Sequence, residues 1–102
     1  MATQNNLFAL IDASNPSAIA ERLGSTGLPF AILHQPISST SWFLITRSAI
    51  TTEEVTNALG IIDGSTGSGV VVRVENYYGR ANPSIWEWIV AKRSVLLDSA
   101  PE

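Results

Sequence analysis

Apolar residues along the chain fall into short runs with two different spacings. From Leu7 to Ile11, and again from Trp42 to Ile45, every position is apolar, so both alternating sets of side chains avoid water. Runs of this length predict strands in the middle of a sheet that is covered on both faces. Leu28 to Gln35 also reads as a strand, and Pro29 near its start suits an edge position, where a missing backbone donor breaks no ladder bond. The polar loop Pro36 to Ser41 is short enough to make this strand antiparallel to the next. Val70 to Glu75 alternates, with Val70, Val72 and Val74 on one face and Arg73 and Glu75 on the other, which predicts a strand with one face only partly covered.

Between these runs the spacing becomes helical. Asn15-Pro16 starts a helix to about Leu23, with the Asn side chain as cap, Pro at the first helical position and Gly24 as the stop. Thr51 and Glu54 form a T-x-x-E capping box, Ile50 and Val55 a hydrophobic staple around it, and Gly60 suits the left-handed C-terminal position. Asn82-Pro83 starts a last helix to about Arg93 with a wide apolar girth that includes Ile85, Trp86, Trp88 and Ile89. Val95-Leu96-Leu97 reads as a brief extra strand. The order β-α-β-β-α-β plus a helix predicts an α+β fold, the ferredoxin-like plait, with the two fully apolar runs as central neighbouring strands. Residues 7–97 form its single domain, after a flexible N-terminus at 1–6 and before a loose tail at 98–102. Two helices cover one sheet face, so the last helix, a second subunit or both must cover the other.

Composition narrows the function without naming it. The chain has 102 residues, of which 45% are hydrophobic, and carries six Lys+Arg against nine Asp+Glu, a formal charge of −3. That acidic balance argues against a protein whose main task is gripping phosphate backbones. With no cysteine, disulfides, thiolate metal sites and thiol nucleophiles are excluded, and a reducing cytoplasm fits. No leader-like N-terminus and no run of membrane-spanning length is present, so no membrane partner is expected.

Four pieces in order carry a resemblance: the strand ending in Asp12; Ser41 to Ile45 running into Ile50 to Val55; the strand Val70 to Val74; and Tyr78-Gly79 with Ile85 to Ile89. Together they resemble the small ferredoxin-like proteins related to CRISPR-associated protein two, in particular the stand-alone members outside CRISPR loci. The resemblance covers roughly residues 7–93 and implies a homodimer of bacterial or phage origin. Some members of that family are metal-dependent nucleases and others DNA-binding scaffold subunits. In the nuclease members an Asp at the end of the first strand, here Asp12, is thought to bind a divalent metal together with its copy across the dimer axis. The present chain departs from them in its acidic charge, its few strand arginines and the lack of a second acidic residue beside Asp12.

Asp12 therefore has two readings, a paired ligand for Mg²⁺ or Mn²⁺ and a side-chain cap on the Ser14 to Ser17 turn. His34, the one histidine, reads as a half-buried strand residue with one hydrogen bond or as a general acid or base. The loop Gly64 to Gly69 lacks the Lys and the following helix of a phosphate-binding loop and reads as a flexible connector. Tyr77, Tyr78, Arg80, Trp86 and Trp88 form an aromatic cluster suited to a buried interface or to stacking unpaired bases. The expectation is a non-catalytic homodimeric binding, scaffold or regulatory module without a cofactor, its partners being itself and either nucleic acid or another protein. The alternatives are a nuclease using Asp12 from two subunits, and a sensor holding a small ligand between sheet and last helix.

Overall fold

In the computed structural model, which describes residues 5–75 and 83–93, the two fully apolar runs lie side by side. The first, β1 (Asn6–Ile11), is flanked by β3 (Ser41–Thr46) and β4 (Val70–Arg73), and β2 (Leu33–Ser38) lies outside β3. All three pairings are antiparallel and the strand order is β2-β3-β1-β4. With α1 (Pro16–Leu23) between β1 and β2, α2 (Thr52–Ala58) between β3 and β4, and α3 (Pro83–Arg93) after β4, this is α+β architecture in the order of a ferredoxin-like plait with an added helix.

Register explains why β1 and β3 need apolar residues at every position. Phe8 pairs with Leu44 and Leu10 with Trp42, and these four join Ile19 and Leu23 of α1 and Val55 of α2 in the main core. Leu7 pairs with Ile45 on the opposite face, where both are buried although neither belongs to that core. There α3 touches β2 and buries Ile85 and Ile89, and the Asn5 side-chain amide donates to the Lys92 carbonyl at 2.9 Å. Each large side chain so removed from water contributes about 1.5–3 kcal/mol of transfer free energy.

Three boundaries differ from the sequence expectation. β2 begins at Leu33 and runs through Pro36 to Ser38, so Pro29 precedes the strand and the supposed loop is only a tight turn at Ser39 and Thr40. Pro36 is tolerated because β2 is an edge strand and its register slips between Pro36 and Ser38. Asn5 and Asn6, expected in a flexible N-terminus, are buried, and the Asn6 amide donates to the Ser48 and Ile50 carbonyls at 3.1 and 2.9 Å. Polar residues at a chain end carry no periodic signal, so hydropathy gave no sign of this clamp between β1 and the entrance to α2. The segment 59–69 is folded into successive turns rather than left as an open connector. Thr66 is buried and donates to the Leu59 carbonyl at 2.6 Å, and Ser68 N–H donates to Ser14 Oγ at 2.8 Å. Val95 to Leu97 and the tail lie outside the described residues.

The start and stop of α2 are as expected. Glu54 N–H donates to Thr51 Oγ1 at 3.1 Å, Thr51 N–H donates to Glu54 Oε1 at 2.8 Å, and Ile50 and Val55 are both buried in the core. At the other end Gly60, at φ 80°, lets its own N–H reach the Asn57 carbonyl and that of Ile61 reach Thr56, a Schellman closure. Arg22 of α1 completes it by donating from Nη1 to the Ala58 carbonyl at 3.0 Å, placing a cation at the negative end of the helix.

Two substitutions test these ends. Thr51→Ala is expected to lower stability in urea titration by about 0.5–2 kcal/mol, and Thr51→Asp to leave it nearly unchanged, because Asp restores a cap acceptor. Gly60→Ala would place a Cβ 2.6 Å from Ser65 Oγ and 2.9 Å from Arg22 Nη2 at a positive φ. The expected loss is about 2 kcal/mol, from left-handed strain together with displacement of the Arg22 bridge; an unchanged urea midpoint would refute that account.

Candidate functional site

Asp12 sits where β1 leaves the sheet, with φ 60°, a left-handed conformation that Asp tolerates better than most residues. The next two backbone amides are anchored, Ala13 N–H on the Thr40 carbonyl and Ser14 N–H on the Ser68 carbonyl, both at 2.9 Å. The bend therefore threads between the β2–β3 turn and the loop before β4. Its side chain is exposed and makes no hydrogen bond or ion pair.

The capping role considered for Asp12 belongs to its neighbours. Asn15 Oδ1 accepts from Ala18 N–H at 3.3 Å and from Ser17 Oγ at 3.1 Å, while Ser14 Oγ receives Ser68 N–H. Asp12 is thus an unspent carboxylate among the described residues, at a bend whose next two amides are tied to the Thr40 and Ser68 carbonyls. Among the described residues no group of three or more His, Asp or Glu side chains that could hold a metal ion stands together.

Among the described residues, the arginines of the sheet and of α1 do not converge on this end. Arg47 follows β3 at the opposite end, next to the Asn6–Thr46 pair, and Arg73, opposite Phe8, bonds Glu75 at 3.1 Å. Arg22 is committed to the end of α2 and reaches Ser65 Oγ at 3.5 Å. Beside it, the Ser65 N–H, the Ser65 hydroxyl and the Arg22 charge hold the Asp63 carboxyl below its ordinary value. A depressed carboxyl of this kind helps the folded loop above its ordinary pKa, and that help fades as pH falls through the lowered value.

The other residues singled out by sequence are dispersed. His34 is exposed on β2 opposite Leu44 with no hydrogen bond, not half-buried with one. Trp86 and Trp88 are half-buried on α3, while Tyr77, Tyr78 and Arg80 lie outside the described residues. What composition and spacing missed is a strip on the outer face of the sheet: Ile11 pairs with Val70, Val72 with Ala9, and Ile11, Val70 and Val72 are 44%, 56% and 40% exposed. The alternation of Val70 to Glu75 was its signal, but the valine face is the open one. Among the described residues no helix is long and apolar enough to cross a membrane.

Because its side chain is unbonded and its backbone left-handed, Asp12→Asn is expected to change unfolding free energy by no more than about 0.5 kcal/mol. Asp12→Val is expected to cost about 1–2 kcal/mol, since a β-branched residue is strained at positive φ. Urea titration of both checks the pair, and equal stability of the two would show that the bend imposes no such constraint. Comparison with protein-family models, with curated proteins and with solved structures finds no match to this chain.

Proposed function

We propose that the protein is a non-catalytic, homodimeric scaffold or regulatory module working in the cytoplasm, akin to the non-nuclease relatives of CRISPR-associated protein two. The observation that carries this reading is the strip Ile11, Val70 and Val72, open to water beside β4, an edge strand whose outer backbone groups have no strand partner among the described residues. Three aliphatic side chains side by side on a sheet are costly to leave wet, and an unpaired edge invites a further strand.

The strip exposes on the order of 200 Å², short of the roughly 800 Å² per partner of a stable interface. A strand of the second copy added along the β4 edge, which has no strand partner among the described residues, would supply the remainder. The dispersal of Arg22, Arg47 and Arg73 away from Asp12 favours a scaffold over a nuclease, whose substrate needs positive charge flanking the carboxylates. The unspent carboxylate of Asp12 is the one feature favouring the nuclease alternative.

Light scattering of the full chain at micromolar concentration is expected to report a dimer, and Val72→Glu a folded monomer with a cooperative urea transition. A monomeric wild type would refute the dimer. RNA and DNA are expected to stay intact with the protein in Mg²⁺ or Mn²⁺; cleavage that disappears in Asp12→Asn would replace the scaffold by the nuclease.

A further inference from the structure

On the helix side of the sheet, away from both Asp12 and the apolar strip, α1, α2 and the segment before β2 enclose an open cleft of about 570 Å³. Its walls differ in chemistry. Pro29 and Phe30 offer apolar surface, Phe30 being half-buried with one side on the core, the buried Ile50 lies behind them, and Arg22, Arg47 and Glu54 bring charge. This volume lies within the usual range for a small-molecule site, roughly 300–1,000 Å³.

The charged groups are not equivalent. Arg22 is held in place by its bonds to the Ala58 carbonyl and Ser65 Oγ, yet a guanidinium carries five N–H donors and keeps some unspent. Arg47 is exposed, and its side chain has no hydrogen bond or ion pair although Glu54 lines the same cleft. Glu54 already accepts from Thr51 N–H through Oε1 and is thereby tied to the start of α2. Asn57, also on the wall, has an amide side chain with no partner.

We infer that this cleft binds a small organic monocarboxylate with a flat apolar body, the carboxylate on Arg47 and the body against Pro29 and Phe30. An unpaired guanidinium is the side chain best matched to a carboxylate, which it grips through two parallel N–H bonds. Two arginines against one glutamate leave a single net positive charge in the cleft. That balance suits a monoanion and penalises a phosphate dianion, which meets the Glu54 charge without a second cation to offset it. The apolar wall makes the ligand more than a counterion, since a hydrophilic anion would leave Pro29 and the open side of Phe30 wet. This goes beyond the dimeric scaffold reading and does not depend on it, because the cleft and the strip lie on opposite faces of the sheet.

Amide NMR titration of the full-length chain with phenylacetate tests the assignment, with 2-phenylethanol and inorganic phosphate as comparison probes. Saturable shifts at Phe30, Arg47, Ile50 and Asn57 are expected with phenylacetate. Each comparison probe should bind at least about tenfold more weakly, as expected for loss of one charge-assisted bond or of the apolar contact. Arg47→Gln should weaken phenylacetate by about the same factor while keeping the wild-type urea midpoint, since its side chain supports no fold contact. No saturable shift, equal binding of phosphate or 2-phenylethanol, or full binding by Arg47→Gln would each overturn it.

Discussion

Everything in this fold follows from the two central strands being apolar on both faces. A sheet built on Leu7 to Ile11 and Trp42 to Ile45 must have cover above and below, and short α1 and α2 supply it on one side only. The chain answers with α3, which shields the β2 side of the outer face and leaves the β4 side open. The boundary between covered and uncovered runs between Leu7, which is buried, and Ile11, which is exposed at the far end of the same strand. The apolar strip is therefore the part of the outer face that α3 does not reach among the described residues.

The same economy appears at α2. Seven residues make a helix that would not persist in isolation, because nucleation is unfavourable and little length remains to recover it. It is held at the front by Thr51 and Glu54, beneath by Ile50 and Val55, and at the back by Gly60 and the Arg22 guanidinium. Arg22 is where this local problem meets the charge pattern. One of few cations in an acidic chain is bound to a helix end, so it is no longer free to build a positive groove near Asp12.

Features with a local chemical signature were legible in the sequence. The capping box, the Asn15-Pro16 helix start, the left-handed Gly60 and the order of central strands each rest on residues within a few positions of one another. What escaped depends on residues far apart in the chain. Asn6 clamps carbonyls more than forty positions away, Ser14 and Ser68 hold each other across the sheet end, and Asp12 bends through φ 60° because both of its following amides are tied to other loops. No periodicity announces such contacts. The site residues were harder still: Asp12 could be located at a strand end, but whether its carboxylate was spent on a cap depended on Asn15 and Ser14 taking that work, which only the three-dimensional arrangement decides.

The two surfaces left over by this economy are of different kinds, and they are separated by the sheet. On the outer face lies aliphatic surface beside an open strand edge, suited to another polypeptide because backbone groups and apolar side chains are both offered. On the helix face lies a concave wall with an unpaired guanidinium, too small for a folded partner and suited to a small anion. A ligand in that cleft would touch Glu54 at the start of α2, and the loop that leads there from β3 is clamped to β1 through Asn6. β1 is also the strand that carries Ile11 and holds β4, so the Asn6 clamp and the apolar strip share one strand of the sheet.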